Sequence, residues 1–197
     1  MEYFESIIKT LLEHEGYWVR LSFKVNLTKQ EKKQIGKASI PRPEIDILAF
    51  KPKAQEVLAL EAKSYFDSPG VRLADLQEEC RIPEGRYKLF TCTNYRDIVF
   101  NRLRQDLREL GMVGGDLKIT LGLVAGNIYQ GLSAEIRAYV ESKGWFFWSP
   151  EDVRDRVNAL AAKGYENDPA IITAKILMRS SHNKSLKRDA VKSRRAP

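Results

Sequence analysis

The chain has 197 residues, of which 43% are hydrophobic and 30% charged, and it carries a formal net charge of +7. This is the composition of a globular protein long enough to build a core without covalent staples. Two cysteines outside any CxxC pattern argue against a disulfide framework, and two histidines leave little for a His-rich zinc site or a His-based triad.

In chain order, residues 2–15 predict a helix. Phe4, Ile7, Ile8, Leu11 and Leu12 repeat at helical spacing, and Gly16 is placed to stop it. MEYFESIIKT lacks the basic start and apolar middle of a signal peptide, and no apolar run nears the roughly 18 residues of a spanning helix. The expected location is the cytoplasm, with no membrane partner. YWVRLSFKV predicts a strand, and NLTKQEKKQIGKASIPRP a polar connector. Two strands follow, near 44–50 and 56–63, joined tightly across KPKAQ and therefore antiparallel. SPGVRLADLQEEC predicts a helix from about residue 70, YKLFTCTN a buried strand over 87–94, and YRDIVFNRLRQDLREL an amphipathic helix.

LKITLGLVAGNI reads as a strongly apolar strand. SAEIRAYVESK is a helix ending at Gly144, and WFFWS a short strand, so Trp145, Phe146, Phe147 and Trp148 are expected in packing before base stacking. Ser149, Pro150 and Asp152 make a helix start, with the helix running to about Lys163. A last helix spans roughly 168–179. From Ser181 on, six Lys or Arg and one Asp hold five of the seven net charges. That segment lacks apolar periodicity and is predicted to be a disordered tail, 181–197, behind a single domain, 1–180. The high pI therefore says little about what the domain binds.

The order of elements predicts an α/β sandwich on a mixed sheet. Within it, PEIDILAFKPKAQEVLALEAKSYFD puts two acids and a lysine among core side chains. Strand alternation sets Val57, Ala59, Glu61 and Lys63 on one face, and pairing with the preceding strand lets Asp46 point the same way. Two converging carboxylates are a site for a hard divalent cation, and a lysine beside them can orient or deprotonate water or stabilise phosphate charge.

The stretch resembles the PD-(D/E)xK nuclease superfamily. Asp46 is followed across a hairpin by Glu61-Ala62-Lys63 on an apolar strand, although the motif's proline, Pro43, stands three residues before the aspartate. The resemblance implies a restriction-endonuclease-like sandwich with an αβββαβ core and extra C-terminal strands and helices. It implies that Asp46 and Glu61 bind the metal with the carbonyl of Ala62, and that Lys63 assists the attacking water. FESIIKTLLEHEGYW is similar to the opening of archaeal Holliday-junction resolvases, which makes Glu5 a further acid of the site. The expected cofactor is Mg²⁺ or Mn²⁺, the partner DNA, and double-strand cleavage would call for a homodimer.

Lys29, Lys32, Lys33, Lys37 and Arg42, from the connector, are candidates to grip phosphates, or else a solvated charged loop. Gln77 and Arg81 read as surface, Cys80 and Cys92 as packing. Three alternatives stand beside the nuclease. The first is a nucleic-acid- or protein-binding module of the same fold with an inactive site. The second is a two-carboxylate hydrolase such as a glycosidase, which the lysine fits less well. In the third, Asp46 and Glu61 merely pair with Lys63 or Arg42 on a solvated sheet face.

Overall fold

Helix α1 (Tyr3–His14) buries Phe4, Ile8, Leu11 and Leu12 on one face and gives way at Gly16, whose φ of 85° is the left-handed turn a glycine takes without strain. The computed structural model describes residues 3–113, 117–164 and 166–178. The predicted tail, 181–197, lies outside the described residues. The chain divides into two compact units, Met1–Pro150 and Glu151–Pro197. Among the described residues no helix is long and apolar enough to cross a membrane.

The first unit is an α/β structure on one five-stranded mixed sheet, in the order β1 (Trp18–Lys24), β2 (Glu44–Lys51), β3 (Glu56–Lys63), β4 (Lys118–Ala125), β5 (Phe146–Trp148). β1, β2 and β3 pair antiparallel, whereas β4 joins β3 and β5 joins β4 in parallel. The tight β2–β3 connection is a short 3₁₀ turn over Pro52–Ala54, closed by Gln55 at φ 48°. The parallel partners need crossovers. These carry α5 (Thr93–Glu109) between β3 and β4, and α6 (Ser133–Ser142) between β4 and β5.

The main core packs Leu48, Phe50, Val57, Ala59, Leu121, Leu123 and Phe147 of the sheet with Tyr95, Val99, Leu103 and Leu107 of α5. Side chains alternate along a strand, so Ile47, Ala49, Leu58 and Leu60 point to the other face. They are buried too, and α1 packs against β1, β2 and β3. Burial on both faces explains why β2 and β3 read as near-continuous apolar runs. In the second unit, α7 (Pro150–Ala162) is followed by a helical stretch over 169–178. Lys175 Nζ donates to the carbonyl of Ala161 at 3.0 Å and to that of Lys163.

Two expectations are overturned. The stretch 87–94 is not a strand: it is a helical turn, α4 (Lys88–Thr91), running into α5, after the short α3 (Leu73–Gln77). Leu89, Phe90 and Thr91 are all buried, and a helix surrounded by protein shows the same short apolar run as a buried strand. The connector after β1 is not loop throughout either, because it holds α2 (Lys29–Gln34). Thr28 caps this helix: its Oγ1 accepts from the Glu31 amide at 3.2 Å, while Glu31 Oε2 accepts from the Thr28 amide at 2.6 Å.

Candidate active site at the open end of the β2–β3 pair

The β2–β3 ladder runs from Lys51–Glu56 to Ile47–Leu60. One further step of that register sets Asp46 opposite Glu61. The strands part there, and the Ala62 amide donates to Asp46 Oδ2 at 2.9 Å instead of to a β2 carbonyl. The N–H and C=O of an extended residue face the same edge, so the Ala62 carbonyl also faces this opening. Lys63 Nζ donates to Glu61 Oε1 at 2.5 Å and stands 3.9 Å from Asp46 Oδ2. Asp46, Glu61 and Lys63 therefore come together as the alternation predicts.

They do not form a solvated surface network. The side chains of Asp46, Glu61 and Lys63 are 21%, 15% and 17% exposed. Burial, reinforced by the Asp46 charge, pushes the Glu61 carboxyl up despite the opposing pull of Lys63. Burial disfavours the Lys63 ammonium as well, yet the charge and hydrogen bond of Glu61, with the charge of Asp46, outweigh it and hold the Lys63 pKa above its ordinary value.

β1 bends beside the acids. Trp18–Phe50 through Leu21–Ile47 pair regularly, and pairing resumes at Phe23–Ile45. Ser22, which that register sets opposite Asp46, sits at φ 53° and leaves the ladder. A non-glycine residue in that conformation is strained, and such residues concentrate where a site over-determines the backbone.

Glu61 and Lys63 open into a cleft of about 290 Å³ whose walls include Arg42, Arg86, Lys88 and Tyr95. Burial, with the Glu61 charge second, pushes the Tyr95 phenol upward. Arg42 is thus the one residue of the predicted phosphate-gripping set on this cleft. Its Nη1 also donates to Asn26 Oδ1 at 3.4 Å. Lys37 Nζ turns to the Pro83 carbonyl at 2.8 Å and to Glu84 at 4.0 Å, while Lys29, Lys32 and Lys33 ride on α2.

Glu5 lies in the first turn of α1, its Oε2 shielded from solvent. Among the described residues no three His, Cys, Asp or Glu side chains gather into one metal-sized group, so the pair Asp46–Glu61 is what the sheet brings together. Gln77 and Arg81 are exposed. Phe147 and Trp148 are buried, and the Trp145 ring packs edge-on to Phe90 at 5.4 Å beneath the Arg96 guanidinium at 5.3 Å, so these aromatics serve packing.

The sequence reading missed Arg86, Lys88 and Tyr95. Their signal was the basic and aromatic run GRYK and the nearby Tyr95, masked by taking 87–94 as a strand. No family model matches the chain, and neither does any curated protein or solved structure.

Proposed function

We propose that the chain is a divalent-cation-dependent nuclease of the PD-(D/E)xK, restriction-endonuclease-like type, cutting phosphodiester bonds in DNA. The reading is carried by Asp46 and Glu61 facing each other across two strands, with the Lys63 ammonium against both at the base of a cleft walled by Arg42, Arg86 and Lys88. An αβββαβ order, if the short helices are set aside, and a sheet antiparallel on one side and parallel on the other are compatible with that fold.

The donor set fits Mg²⁺ or Mn²⁺. Two carboxylates and the Ala62 carbonyl are hard oxygen donors, and Mg²⁺ usually takes one or two carboxylates and completes its shell with water and substrate phosphate. The upward push on Glu61 fits as well, because two buried like charges are stabilised by a cation between them. Such an ion, when bound, supplies a polarised phosphoryl oxygen and a more acidic water.

The remaining work falls to the chain's own residues. The charges of Glu61 and Asp46 favour the Lys63 ammonium, which places a hydrogen-bond donor and a positive charge beside the reacting phosphate. Glu61 holds that ammonium in place through the 2.5 Å contact. Ala62 orients Asp46 through its amide. Arg42, Arg86 and Lys88 draw the flanking phosphates into the cleft, an attraction that weakens with salt. Cutting both strands of a duplex calls for two such sites, hence a homodimer.

Calorimetric titration tests the reading. Mg²⁺ or Mn²⁺ is expected to bind the wild-type chain, and Asp46→Ala is expected to abolish that binding. DNA binding without cation binding would instead make the chain a binding module with an idle site.

A further inference from the structure

A second, larger cleft adjoins the first. It measures about 400 Å³ and shares Gly85 and Arg86 with the cleft that holds Glu61 and Lys63. Tyr65 and Tyr87 line it, with their hydroxyls 3.5 Å apart, and Arg86 Nη1 donates to the Tyr65 hydroxyl at 3.3 Å. The Arg86 guanidinium lies 6.0 Å from the centre of the Tyr65 ring. Asp75 and Glu78 also line the cleft.

The loop carrying Tyr65 is held in a set shape. Tyr65, two residues past Lys63, adopts φ 47°, and its carbonyl accepts from Asn127 Nδ2 at 3.2 Å; the same amide nitrogen donates to the Ser68 carbonyl at 2.9 Å. At Gly126 a Cβ would stand 2.5 Å from the Ser64 carbonyl oxygen, and at Gly70 one would stand 2.7 Å from the Ile128 backbone. Those two close approaches, and the Val71–Ile128 bridge, lock the loop after β3 onto the loop after β4. A non-glycine residue held in a strained conformation by such contacts is a mark of a functional surface.

We infer that this cleft receives one unpaired nucleotide of the DNA strand, carrying a base with an exocyclic amino group, next to the phosphate cut in the neighbouring cleft. The inference rests on the nuclease reading of the Asp46–Glu61 site. Four features carry it. The volume suits one nucleotide and is too small to enclose a stretch of duplex. The half-buried Tyr65 ring offers a face for base stacking, backed by the buried Tyr87 whose hydroxyl it meets. Arg86 stands at the junction, where the phosphate linking the two nucleotides must pass, and its guanidinium is suited to holding it. Asp75 and Glu78, on walls that also carry Arg72 and Glu84, can accept hydrogen bonds from a base amino group, which favours cytosine over thymine.

The test is fluorescence anisotropy in EDTA, which reads binding with no cleavage. The probes are short DNA duplexes identical except for a single extrahelical cytosine, an extrahelical thymine, an extrahelical abasic residue, or none. The full chain is expected to bind the cytosine bulge at least about fivefold tighter than the paired duplex, since one stacked base contributes roughly 1 kcal/mol or more. The abasic bulge is expected to lose that preference, and the thymine bulge to fall between the two. Arg86 is exposed, so Arg86→Ala leaves the fold intact, and it is expected to weaken binding of the cytosine bulge about tenfold. Equal affinity for paired and bulged DNA, retention of the preference with the abasic residue, or an Arg86→Ala variant with unchanged affinity would overturn the inference. Free dCMP competing as tightly as the bulged DNA would also overturn it, by making the cleft a site for free nucleotides.

Cleavage measured separately in Mg²⁺ or Mn²⁺ keeps the two readings apart. A bulge preference without cleavage sinks the nuclease and leaves the cleft. Cleavage without a bulge preference does the reverse.

Discussion

At the scale of single residues, the site rests on an electrostatic conflict that the sheet imposes. Register sets Asp46 against Glu61, and burial with the Asp46 charge raises the Glu61 pKa above its ordinary 4.5. The folded chain then holds that proton more tightly than the unfolded chain. Stability contributed by Glu61 is full below about pH 4.5 and is lost as pH rises through the raised native value. Asp46→Asn removes the like charge while its side-chain oxygen can still accept from the Ala62 amide. The variant is expected to melt higher than wild type at pH 7.5, with the gain disappearing by about pH 4; differential scanning calorimetry across pH checks this, and a variant less stable at pH 7.5 would contradict it. Glu5→Ala is expected to reduce cleavage by no more than about tenfold, a supporting effect, measured under single-turnover conditions. The acids and the lysine were legible in the sequence because they depend on local facts: alternation along β3 and a tight turn that fixes its pairing with β2. The strained φ of Ser22 and Tyr65 was not legible, because serine and tyrosine carry no preference for that conformation and only the surrounding contacts enforce it.

At the scale of elements, α2 is anchored through its first turn. Glu31 closes the capping box with Thr28 and also accepts from Arg102 Nε at 3.2 Å, which ties α2 to α5. Arg102 Nη1 is 3.9 Å from Asp106, a carboxylate only 3% exposed that accepts from the Asn26 amide at 2.8 Å. Thr28→Ala is expected to cost about 1 kcal/mol in urea unfolding. Arg102→Leu is expected to cost more, roughly 2–3 kcal/mol, because it strips a buried carboxylate and Glu31 of one shared partner. The reverse order would mean that the bridge is idle. α2 was hidden in the sequence because none of its residues is buried, which leaves no apolar stripe to read; only Thr28 and Glu31, three apart, signalled its start. α4 was hidden for the opposite reason, since burial all round erases the period that separates helix from strand. α1, by contrast, shows one buried face and was read correctly on its stripe.

At the scale of the whole molecule, charge is divided between residues 1–180, close to neutral, and the basic segment after Ser180, which holds five of the seven net charges. Each phosphate contact made by that segment adds about 0.9 to the slope of log affinity against log salt on duplex DNA. Truncation after Ser180 is expected to lower both affinity and slope while leaving the rate at saturating DNA nearly unchanged. Binding at several salt concentrations checks it, and an unchanged slope would mean that the segment does not touch DNA. The most direct measurement is single-turnover cleavage of labelled DNA by the full chain in Mg²⁺, Mn²⁺, Ca²⁺ or EDTA, beside Asp46→Ala, Glu61→Ala and Lys63→Ala. Cleavage is expected with Mg²⁺ or Mn²⁺, little with Ca²⁺ and none with EDTA, and a loss of about 10²-fold or more is expected in each variant. Cleavage that persists in EDTA, or full activity in Asp46→Ala or Glu61→Ala, would contradict the assignment of these two carboxylates as the catalytic centre.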